Sequence, residues 1–309
     1  MKALVTGDRG FIGRHFVNFL KAKDWEVYGL DIANGADEDC IPFFVEDTDE
    51  QYDLVVHCAY EVGGRKHIDD TNMALATNVL LDAAMFRWAL NGGAKAVIYY
   101  SSSAAYPIHL QQRWCTTCPG EGHPPRRLSE EDIDFSALAQ PDADYGWAKL
   151  TGERIARRAQ ALGLRVHILR PFSGYGSDQS DDYPFPSIVK RAMRNELEVW
   201  GPPGQTRDWI HIDDVIRGSW AIYQQNVQEP VNLCTGVGTE MGDLIQAARN
   251  IYQRLTGETG EVGEVTYIHD APTGVYYRVG DPSKLRQYYV PKISILQGIQ
   301  LALEDYLGR

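Results

Sequence analysis

The chain predicts an α/β fold: a doubly wound parallel sheet with helices on both faces, followed by a smaller mixed α/β C-terminal part. Three observations carry that reading. Over the first 170 or so residues, short β-like runs alternate with longer helical stretches, the spacing that parallel strands and crossover helices require. A glycine-spaced turn joins the first such strand to the first helix. After Pro171 the texture changes, with Gly and Pro clustered at 174–186 and 201–204 around a helix at about Ser187 to Asn195.

Taken in order, Lys2 to Thr6 reads as a buried strand, and Phe11 to Lys23 as a helix whose apolar face is Phe11, Ile12, Phe16, Phe19 and Leu20. Glu26 to Asp31, Leu54 to Ala59 and Ala96 to Ser101 are further strands, with a helix from Asn72 to Leu90 between the last two. Tyr145 to Leu162 is a strong helix, followed by a strand from Arg165 to Leu169. The stretch from Pro107 to Pro141 is long for a loop in a compact domain, and loops of that length usually serve function.

Composition excludes several classes. The 309 residues are 44% hydrophobic and 23% charged, ordinary globular values. No apolar run approaches the length of a membrane-spanning helix. A net charge of −12 disfavours nonspecific binding to nucleic acid or anionic lipid, so an anionic ligand would need local positive charge. The N-terminus lacks a signal-peptide pattern, and Cys40, Cys58 and Cys234 stand alone. The expected compartment is therefore the reducing cytoplasm.

The first motif is Gly7-x-x-Gly10-x-x-Gly13, between a strand and a helix. Glycines there allow a tight turn and close backbone approach, so that a pyrophosphate can rest on the helix N-terminus. Asp31 closes the second strand, where a carboxylate would bond an adenosine ribose hydroxyl. Asp31 would repel a 2′-phosphate and favours NAD over NADP, whereas Arg9 inside the loop pulls the other way.

The second motif is Tyr145-x-x-x-Lys149, whose i, i+4 spacing sets a phenol and an ammonium on one helix face. A phenol near pKa 10 becomes a useful base at neutral pH only if shifted by about three units, which Lys149 and a cationic nicotinamide would have to supply. The third is the strand end Tyr99-Tyr100-Ser101-Ser102-Ser103-Ala104-Ala105-Tyr106-Pro107. Ligands bind at the carboxyl ends of strands in open parallel sheets, so hydroxyls placed there can meet a substrate.

With TGDRGFIG, HCAY at 57–60, Asn78 in ATNVL, YYSSSAAYP, YGWAKLTGE, RPFSGYG, RDWIHIDDV, VNLCTG and RVGDPSK, the chain resembles the extended short-chain dehydrogenase/reductases, specifically the NAD-dependent epimerase/dehydratase family acting on nucleotide sugars. The resemblance implies a Rossmann-type NAD-binding domain formed by 1–171 plus about 208–236, and a nucleotide-sugar domain formed by 172–207 plus 237–309. It implies Ser102, Tyr145 and Lys149 as catalytic residues. Cofactor contacts would come from Gly7, Arg9, Gly10, Phe11, Ile12, Gly13, Asp31, Ala59, Asn78, Tyr145, Lys149 and Pro171. Substrate contacts would come from Gly63, Gly64, Arg65, Ser103, Tyr106, Arg207 and Arg278, the last two near the diphosphate. Arginine suits that role because its planar fork bonds phosphate oxygens bidentately. The family also implies a homodimer formed through the helices at 72–90 and 145–162.

Within the family, YEVGGRKHID at 60–69 is most similar to the 3,5-epimerases and fucose synthases. Those 3,5-epimerases carry a cysteine where this chain has Ala104, and alanine transfers no protons. The dehydratase Asp-Glu pair and the decarboxylase glutamate are likewise replaced by Ser103-Ala104. The expectation by elimination is C4 epimerisation through a transient 4-keto sugar. The alternatives are 4-keto reduction with NADPH, a 3,5-epimerase or dehydratase with a different acid–base set, and a non-catalytic nucleotide sensor. No metal is expected: His109, Cys115, Cys118 and His123 could hold zinc, but a second CxxC is lacking, and a substrate lid with incidental cysteines is the simpler reading.

Overall fold

The computed structural model describes residues 1–35, 38–46, 50–63, 73–112, 125–271 and 273–309. Strand β1 (Lys2–Thr6) leads into helix α1 (Phe11–Lys21), then β2 (Glu26–Leu30), the short α2 (Cys40–Val45), β3 (Leu54–His57), α3 (Ala74–Trp88), β4 (Ala96–Tyr100), α4 (Ala143–Ala161) and β5 (Arg165–Pro171). The chain continues through β6 (Ser173–Tyr175), α5 (Pro184–Met193), β7 (Glu198–Trp200), β8 (Thr206–His211), α6 (Ile212–Gln224), β9 (Val231–Leu233), β10 (Gly238–Glu240), α7 (Met241–Thr256), β11 (Thr266–Ile268), β12 (Tyr277–Arg278) and α8 (Ile295–Tyr306).

Six strands form one parallel sheet in the order β2-β1-β3-β4-β5-β9. Residue alternation along each strand feeds two cores. Ala3, Val5, Val56 and Ile98 pack with Phe16 and Leu20 of α1 and Val215 and Trp220 of α6. Leu4, Val55, Val97 and Ile168 face the other way, onto Leu81, Met85 and Phe86 of α3 and Ala156 of α4. The strand order reverses at β1, with β2 on one side and β3 on the other. Such a switch point opens a crevice at the carboxyl ends of the strands, where ligands bind.

A second group of elements has its own core, with Phe185, Ile188 and Val189 of α5 against Leu244, Ile245 and Ala248 of α7 and Ile299 and Leu303 of α8. Here β8 carries β10 antiparallel and β12 and β6 parallel. Helix α5 starts at Pro184, three residues before the sequence-based start. Proline at the first helical position loses no hydrogen bond, so the Pro-rich run opens the helix instead of breaking it. Helix α3 is described from Ala74 and ends at Trp88 in a π turn, where Gly92 takes φ 104°. No described helix is long and apolar enough to cross a membrane.

Candidate active site

At the switch point, Gly7 has φ +67°, and a Cβ there would sit 2.7 Å from the Ala59 nitrogen. A Cβ on Gly13 would run into the Gly7 carbonyl. Only glycine therefore lets β1, α1 and the end of β3 close on one another. Gly10 is the N-cap of α1 and offers no side-chain cap, so the first-turn amides face the loop without one. That is the donor set a pyrophosphate takes. Phe11 and Ile12 are half-buried on the same turn.

Asp31 lies one residue past β2, where its carboxylate accepts from Ala33 N at 2.9 Å and from Arg9 N at 3.0 Å. It therefore fastens the glycine loop as well as ending the second strand. The Arg9 guanidinium turns to Asn34, with Nε 2.6 Å from Oδ1. Ala59 N donates to Thr6 Oγ1 at 3.1 Å. Asn78 is buried, and its amide is spent on Glu61, accepting from the backbone N at 2.7 Å and donating to the carbonyl at 2.9 Å. It holds the segment after β3. Pro171 ends β5, half-buried.

Ser102, Tyr145 and Lys149 converge. The Ser102 hydroxyl lies near the Tyr145 phenol and favours its ionised form, and it accepts from Ala104 N at 3.0 Å. Helix α4 reaches that strand end because Gly146 lacks a side chain: a Cβ would stand 2.5 Å from the Ala104 carbonyl oxygen. Lys149 Nζ donates to the Tyr100 carbonyl at 2.7 Å and lies 5.9 Å from the Tyr145 ring centre.

Burial acts against charge on both members of the pair. Burial pushes the Tyr145 phenol above its ordinary value, with Tyr183 adding to the rise, while Ser102 and the Arg278 charge work downward. Burial likewise lowers Lys149 to about 8, against the pull of Asp82. Both groups are desolvated, and each resists its charged form.

Tyr106 is a correction to the sequence expectation. It is fully buried; its hydroxyl donates to Asn232 Oδ1 at 2.6 Å and accepts from Arg170 Nη1 at 3.0 Å. It belongs to a core with Leu128, Leu150 and Phe172, so it cannot line a substrate cleft. Arg170 itself pairs with Glu153 at 2.7 Å, both fully buried beneath the site, and Ser101 donates to the same carboxylate at 2.5 Å. Ser103 is buried in the turn that follows Ser102.

Arg207 and Arg278 are register partners on β8 and β12. Neighbours in register on parallel strands share a face, so both arginine side chains leave the same side of this sheet. Arg207 Nη1 donates to the Thr206 carbonyl at 2.8 Å. Arg278 Nη2 donates to Asp142 at 2.8 Å, and its Nε to Gln111 at 2.5 Å. Beside them lies a cleft of about 220 Å³ lined by Ile108, Asp142, Gln205 and Tyr276. Gly63 is half-buried. Gly64, Arg65, Cys115, Cys118 and His123 lie outside the described residues, and His109 sits on a 3₁₀ turn. Among the described residues no cluster fit for a metal ion occurs.

Sequence reasoning missed Tyr60, Asp82, Gln111 and Asp142. Two of them had a signal. Asp82 is one turn beyond Asn78 on the inner face of α3, and Asp142 is three residues before Tyr145, at the helix N-cap.

The chain is 27% identical to dTDP-4-dehydro-6-deoxy-D-allose reductase of Streptomyces bikiniensis, over 92% of this chain and 89% of the relative. It is 25% identical to UDP-N-acetyl-α-D-glucosaminuronate decarboxylase of Bacillus cytotoxicus, over 98% and 97%. The solved UDP-glucose 4-epimerase of Thermus thermophilus, in complex with NAD, superposes with a TM-score of 0.76 at 21% identity, over 100% and 99%. NAD is the family's cofactor, and the Gly7–Gly13 cradle with the uncapped α1 terminus and Asp31 fits it. The family model for the NAD dependent epimerase/dehydratase family matches residues 3–234, and the chain belongs to that family of nucleotide-sugar epimerases, dehydratases and reductases.

Proposed function

We propose that the chain is an NAD-dependent nucleotide-sugar epimerase that inverts C4 through a transient 4-keto sugar. One observation carries the choice among the family's reactions. Beside Ser102 and Tyr145, the positions where a dehydratase, decarboxylase or 3,5-epimerase needs a further acid or base hold Ser103 and Ala104, both buried. When bound, NAD supplies the hydride acceptor and donor. The chain's own residues handle the proton: Tyr145 takes it from the C4 hydroxyl, Ser102 bridges hydroxyl and phenol, and Lys149 favours the phenolate by its charge. Gly7, Arg9, Gly10, Phe11, Ile12, Gly13, Asp31, Ala59 and Pro171 border the cofactor in this reading, and Arg207 and Arg278 take the diphosphate. The elements up to β5, with α6 and β9, form the cofactor domain, and the rest form the sugar domain. The enzyme works as a cytoplasmic homodimer that pairs through α3 and α4.

The test is incubation with a panel of UDP-, GDP-, dTDP- and ADP-sugars, with products read by NMR. A C4 epimer formed by the native chain and lost in Tyr145→Phe is the expected result. Unchanged turnover in that variant refutes the mechanism. The reductase relative from Streptomyces favours a second reading, one-way reduction of a 4-keto sugar. Consumption of NADPH with a 4-keto substrate, and no epimer from the panel, would select it.

A further inference from the structure

The Lys149 ammonium sits in a cage of which one wall has no part in the proton chemistry above. Besides its bond to the Tyr100 carbonyl, Nζ lies 3.1 Å from the centre of the Tyr60 ring and 5.6 Å from that of Tyr99. The Tyr60 hydroxyl points away from the ammonium and donates to Asp82 Oδ2 at 3.3 Å. The same carboxylate oxygen accepts from Tyr99 Oη at 2.7 Å, and Oδ1 faces His57 Nε2 at 3.2 Å. Asp82 is 0% exposed. A carboxylate so buried, with hydroxyls and one imidazole around it, costs stability unless hydrogen bonds and a nearby positive charge offset its desolvation. The Tyr60 ring also meets Tyr145 edge-to-face, at 6.0 Å between centres. One side chain therefore touches both members of the Tyr–Lys pair and the buried acid behind them.

We propose that Tyr60 and Asp82 are a positioning pair for Lys149: the Tyr60 ring holds the ammonium against the strand end and keeps water from it, and Asp82 anchors the ring and supplies the negative charge that sustains the ammonium beside Tyr145. This rests on the reading that Tyr145 and Lys149 handle the substrate proton. Aromatic faces attract cations most strongly where water is excluded, which is the situation here. The groups that face Lys149 are Cys58 and Tyr60 from the end of β3, Asp82 from α3, Tyr99 and Tyr100 from β4, and Tyr145 and Glu153 from α4. Of the two carboxylates, Glu153 is paired with Arg170, and Asp82 acts on Lys149 the more strongly. Burial and Asp82 pull Lys149 in opposite directions. Both partners of the pair favour the ammonium, Asp82 by its charge and Tyr60 by its ring face, so loss of either should disfavour it.

The test reads Lys149 directly in the full chain, with ¹³C-labelled lysine followed by NMR across pH and the signal assigned by its loss in Lys149→Arg. Asp82→Asn should lower the Lys149 titration by on the order of one unit, because a neighbouring anion is gone. Tyr60→Leu should lower it too, because the apolar side chain still excludes water but no longer offers the ammonium a ring face. A role in packing alone would let water in with the lost ring and predicts a rise in Tyr60→Leu. A rise or a fixed value in Tyr60→Leu overturns the proposal, as does a fixed value or a rise in Asp82→Asn. If Asp82→Asn does not fold, Tyr60→Leu decides alone: a fall supports the proposal, and a rise or a fixed value overturns it. The measurement needs no sugar, so failure of the nucleotide-sugar reading would appear in the native chain's substrate panel and leave these shifts in place.

Discussion

Gly146→Ala tests how tightly the candidate site is built. A Cβ at 146 would stand 2.5 Å from the Ala104 carbonyl oxygen and 2.9 Å from Pro141 Cβ. Ordinary contact is near 3.4 Å, so the start of α4 must withdraw from the Ser102–Ala105 turn by about 0.9 Å. Overpacking of this kind costs roughly 1–3 kcal/mol, a Tm loss of a few degrees in a chain this long. The functional cost is larger. A misplacement near 1 Å in a reacting geometry costs about 10²-fold in rate, and Tyr145 is the residue next to the collision. The assay compares thermal unfolding with turnover on the sugar panel, and uses Gly174→Ala as control, where the nearest atom to a new Cβ is Val215 Cγ2 at 3.9 Å. Turnover within about threefold of native in a stably folded Gly146→Ala would show that Tyr145 need not sit against the strand end, and the reasoning would fail.

Four further outcomes follow from the same contacts. Turnover should fall as pH rises through about 8, because Lys149 loses its proton there and with it the charge that favours the Tyr145 phenolate; a pH–rate profile checks this. Asp31→Ala should weaken NAD binding by roughly tenfold or more, since a charged hydrogen bond is worth about 1.5–3 kcal/mol, and tryptophan fluorescence with added NAD and NADP reads both affinities. Ala143 holds φ +56° two residues before Tyr145, so Ala143→Gly should stabilise the fold by roughly 0.5–1 kcal/mol in denaturant unfolding. Tyr106→Phe should cost about 1–3 kcal/mol, by loss of its bonds to Asn232 and Arg170, yet leave the substrate affinity of the folded enzyme within about threefold; a large rise in KM would return Tyr106 to the cleft.

The parts of the fold legible in the sequence were those written in periodicity. β1, β3 and β4 are continuous apolar runs because a parallel sheet buries both faces, and α1 shows its apolar stripe because only one face is covered. The glycine loop and the Tyr-x-x-x-Lys pair were legible because chemistry fixes their spacing along one element. Tyr106 misled for the opposite reason: a hydroxyl near a motif looks functional until burial and partners are known, and those come from Arg170 and Asn232, 64 and 126 residues away. Tyr60 was silent for the same cause, and the turn spacing from Asn78 gave Asp82 a face but no partner. Their meeting depends on how α3 docks on the sheet, which no local pattern records. The desolvation of Tyr145 and Lys149 was not legible, because attraction between the pair is visible in a sequence and burial is not.

Asp142 acts on its own site in two opposed ways. It occupies the N-cap of α4, where capping is worth about 1 kcal/mol, yet its side chain makes no cap bond. Its carboxylate goes instead to Arg278, with only 5% of the residue exposed. The pair orients the guanidinium but also offsets the charge that a diphosphate needs. Which effect wins depends on what else holds Arg278. Gln111 binds its Nε, and the register with Arg207 fixes its strand, so orientation survives without the carboxylate. The charge effect then dominates. Asp142→Asn should tighten binding of UDP and GDP by about tenfold, equivalent to about 1.4 kcal/mol, and the gain should shrink at high salt because it is electrostatic. Titration calorimetry at two ionic strengths separates the cases. Weaker binding in Asp142→Asn, insensitive to salt, would mean that the carboxylate aims Arg278 and that the arginine cannot hold its place alone.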